Sequence, residues 1–305
     1  MAGLSALTMN IFLPSLPGMA QYYGVPYGVM QQSVALYLAL SAALQILIGP
    51  ISDRYGRRKV LIGSLVLFLL ATVGTLLAPS AGVFLAFRMA QAVIAAGMVL
   101  SRAVVRDMVA DAQAASMIGY VTMGMSLVPM VGPVIGGVLD DAYGWQANFA
   151  LLLVLGVAVL ALVWADLGET ATLRRVSLRD QIRTYPALFA SRRFWGYTLA
   201  AAFASGCFFA YLGGAPYVGD KIFGLTSTKV GILFALTAIG YAGGNFLAGR
   251  YSVRIGMNRM ILLGTLVTSF GLGLLALLTL AGLSGPVVFF GLTIFMGLGN
   301  GICLP

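Results

Sequence analysis

The chain has 305 residues, of which 60% are hydrophobic and only 9% charged, against roughly a quarter charged in a water-soluble domain. That balance excludes a soluble globular fold and leaves the bilayer as solvent for most side chains. The net charge of +9 sits in loops between apolar stretches, which argues for sidedness and against nucleic-acid binding. Histidine is absent and both cysteines lie in apolar stretches, which removes His-based zinc or general-base chemistry and any disulfide framework.

Taken in chain order, ten apolar windows are long enough to cross a hydrocarbon core of about 30 Å as helices. They lie at 3–20, 29–50, 60–78, 82–101, 116–139, 147–165, 195–219, 229–249, 260–283 and 286–305. The first runs into Pro14 and Pro17 with no charged region ahead of it, so it is not a cleaved signal; it is expected to be a span that has lost its beginning. Between the second and third lies a dense charged turn, Gly49 to Lys59. After the sixth comes the longest polar segment, Asp166 to Arg193. Its Arg174, Arg175, Arg179, Asp180 and Arg183 stand at helical spacing, which predicts an amphipathic helix on the inner membrane surface. The expected division is a six-helix bundle over 1–166, a cytoplasmic linker over 167–193 and a second bundle over 194–305.

The loops also give sidedness. Alternate loops hold Arg54, Arg57, Arg58 and Lys59; Arg102 and Arg106; the six arginines between 174 and 193; and Arg250, Arg254 and Arg259. Fifteen of the 18 basic residues are thus on one side, the opposite loops hold Lys221 and Lys229, and Arg88 lies within a span. The excess predicts that those loops and the N-terminus are cytoplasmic. The halves also repeat. A shift of 200 residues lays Gly24 on Gly224, and Gly49, Ser52, Arg54 and Gly56 on Gly249, Ser252, Arg254 and Gly256. Two parallel repeats joined by a linker fit a rocking transporter with its site between the halves.

Three constellations carry chemistry. The turn Gly49-Pro50-Ile51-Ser52-Asp53-Arg54-Tyr55-Gly56-Arg57-Arg58-Lys59 offers close helix approach at Gly49, a tight reversal at Gly56 and a carboxylate that can pair with arginines at Asp53. The plain alternative is a topogenic basic cluster. Gly132-Pro133-Val134-Ile135-Gly136-Gly137 places a helix kink beside small residues that admit a close neighbour. Arg88, in Phe87-Arg88-Met89-Ala90-Gln91, lies at a depth where an unpaired charge costs about 2.5 kcal/mol or more. It therefore needs a wet cavity or a partner, unless it snorkels to the interface.

On these residues the chain resembles the major facilitator superfamily, and within it the Bcr/CflA-type drug exporters, over essentially its whole length. The charged turn is similar to the superfamily's G-x-x-x-D-R-x-G-R-[RK] motif, and Gly132 to Gly137 to its antiporter motif. Arg88 and Gln91 match a fourth-span R-x-x-Q-G pattern with Ala92 in place of glycine. Ser101 to Asp107 resembles the Bcr/CflA sequence closing that span, which implies a gate formed by Arg102, Arg106 and Asp107. The resemblance implies an all-α polytopic membrane protein of the major facilitator fold, with a six-span half and about ten spans of an expected twelve. It implies gating by Gly49, Asp53, Arg54, Gly56, Arg57, Arg58, Gly132, Pro133, Gly136 and Gly137, with proton coupling at Arg88. Met9-Asn10-Ile11-Phe12-Leu13-Pro14 departs from the branch's T-D-M-Y-L-P run, because Asn10 replaces an Asp. Asn cannot carry a proton, and no Asp or Glu lies inside any predicted span, so coupling falls to Asp53, Asp107, Asp140 or Asp141 near the span ends, to water and Arg88, or to a different drive.

The polar residues left in the spans, Asn10, Tyr37, Gln91, Tyr211, Tyr241, Asn245 and Asn300, are expected to line a cavity for neutral or weakly polar amphipathic molecules. Methionines 98, 123, 125 and 130 could adapt to varied shapes, or simply pack between helices. The implied protein is a bacterial inner-membrane exporter of small hydrophobic or amphipathic compounds. It works by alternating access on the proton gradient, without cofactor, metal, nucleic acid or enzymatic activity, as a monomer in the lipid bilayer. A facilitator-type importer of a polar nutrient and a non-transporting receptor or scaffold are the alternatives. The chain stops at Pro305 within the tenth window, so it is expected to be a fragment that does not transport by itself.

Overall fold

In lipid, each backbone N–H and C=O must find its partner within the protein, so a chain of this composition folds into helices. A computed structural model describes residues 1–109, 117, 128, 131–170, 186 and 189–303, and all regular structure among them is helical. The first window is α1 (Ala2–Asn10), a 3-10 turn (Leu13–Ser15) and α2 (Leu16–Tyr22). Pro14 and Pro17 lack the N–H groups that a continuous helix would use, and the chain tightens there. The next elements are α3 (Tyr27–Tyr55), α4 (Arg57–Leu76), α5 (Ala81–Ala90), a 3-10 turn (Gln91–Ala95) and α6 (Ala96–Met108). A helix over 131–143 is α7, followed by α8 (Gln146–Asp166). The remainder is α9 (Arg192–Tyr217), a π turn (Val218–Ile222), α10 (Ser227–Ile255), α11 (Met257–Leu280) and α12 (Pro286–Cys303).

Eight helical segments are long and apolar enough to cross a membrane, α5 and α6 counting as one through the 3-10 turn between them. The two other expected windows are missing for different reasons. Window 3–20 is broken at its prolines into pieces too short to qualify singly. Window 116–139 lies outside the described residues except at 117, 128 and 131–139, which also removes Met123, Met125 and Met130 from view. The amphipathic helix expected between Asp166 and Arg193, with Arg174, Arg175, Arg179 and Arg183, likewise lies outside them.

The shift of 200 holds in the backbone. Helices α3 and α10 are each 29 residues long and start at 27 and 227. Gly24 and Gly224, ahead of them, have φ of 63° and 62°. Gly56 and Gly256 end them with φ of 97° and 87°, and each N–H donates to the carbonyl of Ser52 or Ser252 at 2.9 Å. Such φ values are open to glycine and strained for other residues. At 1.5 Å per residue each helix is about 43 Å long. Tyr27, at the start of α3, stacks on Tyr217 at the end of α9, just before α10 begins, with ring centroids 4.9 Å apart. Both glycine turns therefore lie at the same end of the molecule.

Helices surrounded by lipid gain little from apolar burial against one another, so close packing and polar links hold them together. In the first half, Phe84 of α5 meets Tyr23, Trp145 and Phe149 at centroid distances of 5.8, 5.7 and 5.5 Å, and Phe12 meets Phe149 at 5.8 Å. This cluster joins the first, fourth and sixth spans, each pair contributing about 0.5–1.5 kcal/mol beyond its buried area. In the second half the hydroxyls of Thr237 and Thr293 link α10 to α12 at 2.6 Å.

Candidate functional site

Arg88 is the largest fully buried side chain of the described residues, and it lies two turns into α5. Its guanidinium is held by donors pointing at oxygens on three spans. Nη2 donates to the Thr8 carbonyl at 2.9 Å, Nη1 to Gln91 Oε1 at 2.8 Å and Nε to the Ser33 carbonyl at 3.4 Å. Gln91 in turn donates to the Thr72 hydroxyl at 2.9 Å. The rings of Tyr37 and Phe12 cover the guanidinium at 4.0 and 4.4 Å. No carboxylate lies within ion-pair distance among the described residues. The charge is instead stabilised by carbonyl dipoles and by two aromatic faces, a geometry that suits the planar guanidinium and not an ammonium. Of the two readings of Arg88, the partnered one applies and snorkelling does not.

Tyr37 and Gln91, expected in a cavity, thus belong to the cage around Arg88. Thr8, Phe12, Ser33 and Thr72 complete it. Sequence reading passed over them because two act through backbone carbonyls and the others are ordinary span residues. Asn10, next to this cage on α1, is buried; its amide donates to the Ala6 carbonyl at 2.8 Å while Oδ1 has no protein partner. The other expected cavity residues fall in the second half. Tyr211 of α9 meets Phe234 and Phe290 edge-on at 5.3 and 6.4 Å. Asn300 of α12 donates to the Ala204 carbonyl at 3.0 Å and leaves Oδ1 without a protein partner. Asn245 donates to the Tyr241 carbonyl at 3.0 Å.

At the charged turn, Arg57 is the hub. It pairs with Asp53 at 2.7 Å and with Asp107 of α6 at 3.0 Å, and donates to the Ser52 hydroxyl at 2.5 Å. Glu169, just beyond α8, accepts the Arg57 backbone N–H at 2.7 Å, so it caps the start of α4. A side chain at Gly56 would run into that carboxylate. Arg58 donates to the Trp164 carbonyl at 2.9 Å and lies over the Trp164 ring. Arg54 lies against Tyr55 at 5.5 Å. Arg102 and Arg106 are exposed on α6, outside this network, and Gly49 carries the carbonyl that accepts the Ser52 hydroxyl at 2.7 Å. Apart from Glu169, at the start of the expected linker, every one of these links stays within the first half.

The halves meet at the other end. Gly132, Pro133, Gly136 and Gly137 form the buried face of α7, while Val131, Ile135 and Val138 are exposed. A Cβ at Gly136 would meet the Ile11 carbonyl, one at Gly137 the Ser227 carbonyl, and one at Gly231 the Pro133 carbonyl. The small-residue face therefore brings α7 against the first span on one side and α10 on the other. Asp141 accepts the backbone N–H groups of Ser227 and Thr228 at 3.2 and 2.9 Å, and Asp140 accepts the Ser227 hydroxyl at 2.5 Å. Tyr27 donates to the Gly213 carbonyl at 2.6 Å. Burial pushes the Asp140 carboxyl upward, against the hydrogen bonds from Ser227 and Ser15; Asp141 beside it adds to the rise. Among the described residues, all hydrogen bonds between the halves lie at this end.

A polytopic bundle with a buried guanidinium, two glycine-hinged turns and a seam of small residues between its halves is built as a membrane transporter. The Major Facilitator Superfamily model matches residues 1–305. A chloramphenicol resistance protein of Pseudomonas aeruginosa is 32% identical over 298 residues, which cover 97% of this chain and 71% of that protein. A bicyclomycin resistance protein homolog of Haemophilus influenzae is 30% identical over 258 residues, covering 83% of this chain and 65% of its own length. Among solved structures, a bacterial homolog of the human lysosomal transporter Spinster, inward-facing and occupied, superposes with a TM-score of 0.74 at 18% identity. It is matched over 99% of this chain and 70% of its own; at that identity the likeness is one of fold. The chain belongs to the Major Facilitator Superfamily, and its relatives' names agree with the Bcr/CflA-type branch. It is a multi-pass membrane transporter of small molecules and not an enzyme.

Proposed function

We propose that the protein exports small hydrophobic or amphipathic compounds, antibiotics among them, from the bacterial cytoplasm by alternating access. Residues 1–166 and 194–305 act as two rocking bundles joined by 167–193. The observation that carries this reading is the one-sided contact between halves: they are hydrogen-bonded at the end away from the charged turns, with the antiporter-type glycine face in the seam. The basic excess in their loops supports a cytoplasmic position for the charged turns, and on that reading the bonded end is the outer one. The Asp53–Arg57–Asp107 node keeps the first half rigid at its inner end, and Gly49, Arg54, Gly56, Arg58, Arg102 and Arg106 shape that surface.

Asn10 in the first half and Asn300 in the second each keep a buried carbonyl oxygen without a protein partner. Leaving such a group unmet costs about 1–3 kcal/mol, so both are suited to a substrate's polar group, with Tyr211, Tyr241 and Asn245 nearby in the second half. Apolar walls with a few polar groups favour an amphipathic compound over a sugar or an anion, and so an exporter over a nutrient importer. The proton gradient drives the cycle, with Arg88 as the coupling group in its Tyr37–Gln91 cage, and no cofactor takes part. Each chain holds both halves of its own site, so it works as a monomer. The test is efflux of chloramphenicol and of a lipophilic dye by everted vesicles carrying the product of the whole gene, with and without a protonophore. Flux that collapses with the gradient is expected. Flux indifferent to the protonophore would remove proton coupling, and nutrient uptake without drug flux would favour the importer.

A further inference from the structure

The first N–H groups of any α-helix have no partner inside it, and its N-terminus favours negative charge. In α10 this need is met from the other half of the molecule. Thr226 takes the Lys229 N–H at 3.4 Å, but the Ser227 and Thr228 N–H groups go to the two oxygens of Asp141, at the end of α7. Asp140 holds the Ser227 hydroxyl, which also reaches the Pro14 carbonyl at 3.4 Å. Helix α3, the repeat equivalent of α10, has no such device: Pro26 precedes it and no side chain caps it. No cation pairs with Asp140 or Asp141 among the described residues. Asp141 is therefore committed to a helix end that belongs to the opposite bundle, and Asp140 is shared between that end and Ser15 of its own half.

We infer that Asp140 and Asp141 are the outer latch of the transport cycle: Asp141 caps α10 only while the outer end is closed, and the cap is broken each time the halves part there. The inference rests on the alternating-access reading. A cap made across a moving seam contributes to one state alone, so it shifts the balance between states by its full strength. In the closed state Asp141 satisfies two donors and the helix end; in the open state water replaces it on both sides. Asp140 acts beside it by fixing the Ser227 hydroxyl and drawing the first turn of α10 onto the glycine face of α7.

The experiment uses a cysteine reporter within the outer seam, Gln31→Cys, where the Gln31 side chain lies against Gly213. Cys207 and Cys303 are replaced by serine. A membrane-impermeant maleimide is applied to intact cells. Asp141→Ala is expected to speed labelling about tenfold, the weight of charge-assisted bonds at a helix end. Asp141→Asn, which keeps one oxygen acceptor, is expected to fall between the two. A melting transition in detergent at the parent temperature reports folded protein in each variant, and labelling of Lys59→Cys only after permeabilisation reports insertion. Asp141→Asn or Asp141→Ala labelling at the parent rate, or more slowly, would overturn the latch. Faster labelling in a protein that moves no drug would uphold the latch and remove the exporter reading, so the two fail separately.

Discussion

The two glycine turns share a backbone and differ in chemistry. Each ends a 29-residue helix with a glycine at φ near 90° and the same 2.9 Å bond to a serine carbonyl. At the first, Asp53, Arg57, Asp107 and Glu169 are tied together. At the second, Val253 and Met257 stand where Asp53 and Arg57 stand in the first, and no ion pair forms there among the described residues. A glycine between two long apolar helices is enough to make the reversal. The charged network is an addition, confined to the first half and Glu169 just after it, which suits a fastening between first-half helices better than a turn-forming device.

The sharpest way to break this comparison is to put the same side chain into both turns. Gly56→Ala should cost about 3 kcal/mol, because it adds a collision with Glu169 to the backbone strain; Gly256→Ala, with open space around it, should cost about 1–2 kcal/mol. Melting in detergent measures both, and equal losses would mean that the docking of Glu169 contributes nothing. Next in size is Arg57→Met, which gives the first turn the residue of the second. Two partly exposed ion pairs are lost, about 1–2 kcal/mol in all; drug efflux should fall, and Arg57→Lys should restore part of it. The reciprocal Met257→Arg finds no acidic partner and should change melting by less than about 0.5 kcal/mol. The smallest effect concerns pH and the outer end. Burial raises the Asp140 carboxyl in the closed seam, whereas the parted seam would leave it hydrated and in the usual carboxylate range. The proton therefore binds the closed state more tightly, so acidifying the outside should favour closure. Maleimide attacks the thiolate, so labelling of any cysteine slows between pH 7 and 5; that of Gln31→Cys should slow severalfold more than that of Lys59→Cys.

What could be read from the residues alone was whatever repeats or punctuates. Gly56 and its charged neighbours form a local signal, and the shift to Gly256 confirms it in register. Pro14 and Pro17 mark the break in the first span, which hydropathy alone shows as one continuous window. The 3-10 turn at Gln91–Ala95 carries no glycine or proline, so nothing local announced it. Arg88 and Gln91 were visible as a pair three residues apart. Their cage was not: Thr8, Phe12, Ser33 and Thr72 come from three other spans, and two of them contribute only a carbonyl. Glu169 as the cap of α4, and Asp141 as the cap of α10, join residues more than 80 positions apart; no spacing along the chain encodes such a pair.

The rocking cycle requires two parallel halves whose charged turns face the same compartment. Lys59→Cys and Arg259→Cys, each on a background without native cysteines, test it by labelling with an impermeant maleimide in intact and in permeabilised cells. Both positions should react only after permeabilisation. Reaction of one from outside and the other from inside would contradict the repeat, the sidedness and the rocking cycle together.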